Sequence, residues 1–221
     1  MNAVVNIKLI TRTSTTSDQT TKAIIAIHGW TGNEYVFEPV AKRMKIKNVK
    51  WFFPRAPYEA DTGKGFSWFS GSDEKGWDIQ KTWDGMHQLM ADVQSEGFLP
   101  GDIFLMGFSQ GACLSIEFAL RFPFTLGGII PIAGFIKFVD ILKTEATQQS
   151  KKTPVLLLHG TQDEIIPFSA SEKAFAFLKQ LGHSVILESY NATHKISMKT
   201  VPTIQNFISD SLNFVKLNAI E

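Results

Sequence analysis

Ala23-Ile24-Ile25-Ala26-Ile27 is apolar at every position and rich in β-branched residues. A strand with one wet face alternates apolar and polar side chains, whereas a strand without alternation has both faces covered. Such a run confines the chain to a sheet buried on both sides, which means parallel strands linked by helices. Strand-like segments recur at 49–53, 103–108, 126–133, 155–159 and 184–190, and a first strand is expected at 4–10. Helical patterns occupy 34–44, 78–96, 110–122, 169–181 and 203–217, while the polar stretch 11–21 reads as turn or loop. The expected fold class is α/β, a mostly parallel central sheet with helices on both faces, in one domain over residues 1–221. Segments 54–77 and 134–153 are too long and irregular for simple connections, and long structured loops are more often functional than accidental.

Composition removes several function classes. With 22 basic and 21 acidic residues, the formal net charge is +1. That balance supplies no long-range field for nucleic acid or anionic lipid, and no basic run is interleaved with aromatics. No apolar run approaches the roughly 20 residues of a membrane helix, so no membrane span is expected. The start lacks a basic segment followed by a long apolar one, so no signal peptide is expected. One cysteine, Cys113, cannot form an internal disulfide. A cytoplasmic location follows from both observations. No His-Glu-x-x-His or paired-cysteine spacing marks a metal site, and no cofactor is expected.

Gly107-Phe108-Ser109-Gln110-Gly111 falls between the strand-like 103–106 and the helix-like 110–122. A serine on such a strand-to-helix turn sits in a strained backbone with its hydroxyl lifted clear of the sheet. The new helix turns its first N–H groups toward the same spot. A plain N-cap serine would give the same local pattern, so the weight rests on whether a base and a carboxylate lie at matching strand ends.

A serine hydroxyl needs a base to take its proton and a carboxylate to orient that base. In serine hydrolases built on parallel sheets the carboxylate and then the histidine come after the nucleophile, each on a loop after a strand. After the strand at 155–158 come Asp163 and Glu164. Asp163 is preferred because a short side chain suits rigid positioning, and Glu164 is the alternative. After the next strand comes His194. Of the five histidines, it alone lies beyond a strand that comes after the Asp163 loop. His183 precedes that strand and falls at the opposite sheet end; His28 and His159 end strands in His-Gly pairs and brace loops; His87 lies within a helix.

Acyl transfer places negative charge on the former carbonyl oxygen, which two aimed backbone N–H groups stabilise by several kcal/mol. Gln110, directly after the nucleophile, supplies one candidate donor. Trp30, in the glycine-flanked turn His28-Gly29-Trp30-Thr31-Gly32, supplies the other. Trp30, Trp68, Phe69, Trp77 and Phe135 lie on or beside the long loops and are expected to line an acyl pocket.

These residues together resemble the phospholipase/carboxylesterase family of α/β-hydrolases, which includes small bacterial carboxylesterases and acyl-protein thioesterases. The likeness covers nearly the whole chain. It rests on Ile27-His28-Gly29-Trp30, Phe53-Pro54-Arg55-Ala56-Pro57, Ser67-Trp68-Phe69, Gly107-Phe108-Ser109-Gln110-Gly111-Ala112, His159-Gly160-Thr161-Gln162-Asp163-Glu164-Ile165-Ile166-Pro167, and His194. The resemblance implies the α/β-hydrolase fold, a Ser109, Asp163 and His194 triad, and Trp30 and Gln110 as oxyanion donors. It departs from the family at Thr193, where glycine is usual, and at Ser70-Gly71-Ser72, where aspartate usually stands after the aromatic pair. The expected activity is hydrolysis of short- to medium-chain carboxylic esters by a monomer or homodimer. A long-chain acyl-thioesterase or lysophospholipase is the alternative within the class, and an inactive binding module the alternative outside it.

Overall fold

The computed structural model describes residues 7–218. The apolar runs form the middle of a seven-stranded sheet. In chain order its elements and their covers are β1 (Thr11–Thr15), β2 (Lys22–Ile27), α1 (Glu38–Met44), β3 (Val49–Pro54), the short strands β4 (Tyr58–Glu59), β5 (Phe66–Ser67), β6 (Ser70–Ser72) and β7 (Gly76–Asp78), α2 (Gln80–Ser95), β8 (Ile103–Phe108), α3 (Gln110–Arg121), β9 (Gly128–Ile132), α4 (Val139–Glu145), β10 (Val155–Gly160), α5 (Ser169–Gln180), β11 (Val185–Tyr190), α6 (Val201–Ser209) and α7 (Ser211–Asn218). The strand order is β1-β3-β2-β8-β9-β10-β11. Within this sheet every pairing is parallel except β1 with β3.

The lack of alternation has its reason in two cores. Ala23, Ile25 and Ile27 join a cluster with α2, α3 and α5, while Ile24 and Ala26, one residue out of phase, join another with α1, α6 and α7. Each of these β2 side chains is at most 1% exposed. Full burial of one isoleucine contributes about 1.5–3 kcal/mol, so β2 and its neighbours anchor the sheet from both sides. Because the strands run parallel, the loops after β2, β8, β9, β10 and β11 share one edge.

The chain start differs from the sequence expectation. Residues 4–6 of the expected 4–10 strand lie outside the described residues, and 7–10 are not strand. The first strand is the polar Thr11–Thr15, inside the expected loop. An edge strand needs a partner backbone more than a buried face, and β-branched threonines suit it. Leu9 is instead pressed into the core, where Gly85 of α2 leaves it room that a Cβ would fill. The expected helix 34–44 begins only at Glu38, with Pro39 pre-set in its first turn. The expected helix 203–217 is two helices. Asp210 breaks them at φ −153°, ψ 79°, and its carboxylate accepts from the Asn213 N–H at 3.2 Å, which starts α7. Segment 54–77 holds two hairpins, β4–β5 and β6–β7, and segment 134–153 holds α4. No helix among the described residues is long and apolar enough to cross a membrane.

Candidate active site

Ser109 joins β8 to α3 at φ 55°, ψ −117°, a conformation a side chain adopts only under constraint. The constraint is local. Its N–H donates to Ile132 O on β9 at 2.9 Å, and its carbonyl accepts from Ala112 N and Cys113 N at 3.0 and 3.1 Å. The glycines on either side permit the fit. A Cβ on Gly107 would run into the Gly111 carbonyl, and one on Gly111 into the carbonyls of Ile27 and His28. The turn therefore packs directly on the end of β2, and Gly29 approaches the Ser109 Cβ.

Asp163 comes after β10. Its Oδ1 accepts the Ile165 and Ile166 N–H groups, both at 2.9 Å, and its Oδ2 accepts from His194 Nδ1 at 2.7 Å. The side chain has no exposed surface. Burial pushes the carboxyl's pKa up, but hydrogen bonds from His194, Ile166 and Ile165 outweigh it and hold the group below the usual carboxylate range. Glu164 next to it is exposed. The loops after β10 and β11 are laced together by Thr161 N to Tyr190 O at 2.9 Å and Gln162 N to Ala192 O at 3.0 Å. Tyr190 Oη donates to Lys195 O at 2.8 Å and fixes the far side of the histidine loop. With Nδ1 donating to Asp163, the His194 tautomer leaves Nε2 as acceptor. The imidazole lies 4.7 Å, ring centre to ring centre, from Phe108, the residue before Ser109. The structure thus brings Asp163 and His194 into direct contact beside the serine turn, while no hydrogen bond links the Ser109 hydroxyl to His194 among the described residues.

Two of the other histidines are braces. His28 Nδ1 donates to Gly29 O at 2.7 Å and Nε2 accepts from Ala56 N at 3.1 Å, and burial pushes its pKa down to about 4. His159 Nε2 donates to Ile166 O at 2.9 Å with Nδ1 against Ser171 Oγ at 2.6 Å.

Trp30 and Gln110 flank the serine turn. Neither N–H has an acceptor among the described residues, whereas neighbouring ones do: Thr31 N donates to Phe66 O and Phe66 N to Gly32 O, both at 3.0 Å. The side chain of Gln110 has a task that sequence reasoning missed. Its Oε1 accepts from Trp68 N at 2.9 Å and its Nε2 donates to Ser67 Oγ at 3.0 Å, which ties the long 54–77 loop to the nucleophile turn.

The five aromatics separate. Trp30, 49% exposed, borders two clefts. Phe69 and Trp77 line one of them, of about 460 Å³, together with Gln110, Ser70, Glu59 and Asp61. Trp68 lies beneath the loop, not in a pocket wall. It is fully buried, donates from Nε1 to His28 O at 2.8 Å and packs 5.0 Å from the His28 ring. Its indole N–H needs an acceptor when buried, and the strand-end carbonyl supplies one. Phe135 packs on the α3 side of the core and lines neither cleft. Buried Glu117 accounts for this, because it accepts the Lys137 and Phe138 N–H groups at 3.1 and 2.9 Å and holds that loop down. The second cleft, about 450 Å³, contains His194 and Phe108 and is walled by Val36, Phe37, Val40 and Ile196. In sequence these residues look like ordinary core, so nothing singled them out. Trp77 Nε1 donates to Asp73 within its own hairpin at 2.7 Å, and Lys137 Nζ lies 3.8 Å from the Trp77 ring centre, which clasps the β6–β7 hairpin to the loop after β9.

Comparison with known proteins gives the same lineage by three routes. Residues 10–212 match the sequence profile described as phospholipase/carboxylesterase. The chain is 29% identical over 205 residues to carboxylesterase SOBER1 of Arabidopsis thaliana, covering 86% of this chain and 90% of that one. It is 28% identical over 208 residues to acyl-protein thioesterase 1 of Kluyveromyces lactis, covering 86% and 91%. The crystal structure of esterase PE8 superposes with a TM-score of 0.81 at 25% identity, over 92% of this chain and 99% of that one. The chain belongs to the phospholipase/carboxylesterase family of α/β-hydrolases.

Proposed function

We propose that this enzyme hydrolyses short- to medium-chain carboxylic esters through an acyl intermediate on Ser109. The observation that carries the proposal is the Asp163–His194 pair at 2.7 Å, set beside a serine held at φ 55°. His194 Nε2 takes the hydroxyl proton as Ser109 Oγ bonds to the carbonyl carbon. The oxyanion that forms accepts from the N–H groups of Trp30 and Gln110, which are open to it. The C–O bond to the alcohol then breaks, and the leaving oxygen takes the proton from His194. Water attacks the acyl-enzyme in the same way. Its proton passes through His194 to Ser109 Oγ, and the acid departs. Asp163 stays ionised throughout, holding the tautomer and stabilising the imidazolium.

Ser109→Ala should lower kcat for p-nitrophenyl butyrate by about 10⁶-fold with the melting temperature nearly unchanged. Retained activity would refute the assignment. The relative named acyl-protein thioesterase favours a second reading, long acyl thioesters, in the same site. An acyl chain-length series separates the two: rates that climb beyond octanoate toward palmitate overturn the short-chain reading. A cytoplasmic setting fits the lone Cys113, which is fully buried and whose thiol pKa burial pushes up, so the thiol stays inert.

A further inference from the structure

Two clefts meet at Trp30, and the chemistry of ester cleavage tells them apart. In the tetrahedral intermediate the carbon carries Ser109 Oγ, the oxyanion, the acyl chain and the leaving oxygen. The oxyanion faces the donors. The leaving oxygen must face His194, because only there can it receive its proton. The alcohol part therefore departs along the cleft that contains His194, and the acyl part takes the cleft that contains Gln110. The His194 cleft is walled by Phe108, Val36, Phe37, Val40 and Ile196, all apolar, with Thr31 and Lys195 also lining it, and the Gln110 cleft does not contain His194. The Gln110 cleft carries the carboxylates of Glu59 and Asp61 and the hydroxyls of Ser67 and Ser70, although Phe69 and Trp77 line it too.

We propose that this enzyme selects its substrates by the leaving group: the apolar groove beside His194 binds the alkyl or aryl part of the ester's alcohol. The proposal rests on the Ser109–His194 reading of the active site. Val36 and Trp30 remain 47% and 49% exposed, so apolar surface beside the histidine stands open for an occupant of this kind. That is the reverse of an esterase whose apolar pocket grips the acyl chain. Each alcohol methylene that enters the groove should raise kcat/KM about two- to fourfold.

Isomeric esters test this without a change in overall hydrophobicity. Hexyl acetate and ethyl hexanoate have one formula and differ only in which side bears the long chain, as do butyl acetate and ethyl butyrate. The proposal expects hexyl acetate to exceed ethyl hexanoate in kcat/KM by roughly tenfold or more, with a smaller gap for the shorter pair. Val36→Asp should lower the hexyl-to-ethyl acetate ratio severalfold. Equal rates for the isomers, or preference for ethyl hexanoate, overturn the proposal. So does a Val36→Asp variant that changes oligomeric state on gel filtration yet keeps the ratio, which would assign the groove to a second copy of the chain. If none of the esters is cleaved and a fluorophosphonate does not label Ser109, the serine-esterase reading itself has failed. If Ser109 is labelled and the isomers are cleaved without that preference, only the leaving-group assignment has failed.

Discussion

Replacing Asp163 by asparagine removes one charge in a setting that dictates how the amide must lie. Oδ1 accepts two backbone N–H groups at 2.9 Å each, so the amide oxygen has to occupy that position, since an NH₂ there would face two donors. The NH₂ is thereby turned toward His194 Nδ1, where the carboxylate accepted a proton at 2.7 Å. Nδ1 must then act as acceptor, its proton moves to Nε2, and the imidazole can no longer take the proton of Ser109. On this account Asp163→Asn should cost about 10⁴ in kcat, or roughly 5.5 kcal/mol of barrier. KM for p-nitrophenyl acetate should change little, because nothing that lines either cleft has moved. Steady-state kinetics with a melting curve on the same sample measures both. A loss below about 100-fold in a variant that melts near the parent temperature would refute the tautomer argument.

The same contacts have further consequences. Glu117→Ala strips the partner from two loop N–H groups and one of the two carboxylates from Arg121, which keeps Glu145, so unfolding in urea should show a loss of about 2–4 kcal/mol; a loss under about 1 kcal/mol contradicts the bracing role. Gly111→Ala puts a methyl group against the Ile27 and His28 carbonyls and should cost about 1–3 kcal/mol while slowing esterase activity; an unperturbed variant would mean the turn is not packed on β2. Burial lowers both His28 and His183 to about 4 from an unfolded value near 6.5. The unfolded chain therefore binds more protons between these values, and stability present at neutral pH should fall as pH drops from 6.5 toward 4, by up to roughly 3 kcal/mol per histidine. A flat urea midpoint over that window would count against burial of the neutral rings.

Legibility in the sequence tracks burial. The strands at 103–108 and 155–159 were readable because a strand covered on both faces has no choice but an apolar run, and that pattern is uncommon elsewhere. That Asp163 and His194 meet was legible because chain order along parallel strands maps onto position along one sheet edge. The edge strand β1 was not, because its threonines look like a loop and its pairing with β3 is a backbone affair. Trp68 and Phe135 were misplaced for a related reason. An aromatic on a loop near a site can face the cleft or the core, and the groups that decide it are the His28 carbonyl and Glu117, distant in sequence. The groove of Val36, Val40 and Ile196 stayed hidden because apolar residues in or beside a helix read as core until the structure leaves one face open.

The central claim is that Ser109 is the nucleophile, and a fluorophosphonate probe tests it most directly. The account predicts a single adduct on the peptide carrying Ser109, absent in Ser109→Ala and much slower in His194→Ala. An adduct on another residue, or labelling that persists after Ser109→Ala, would contradict it.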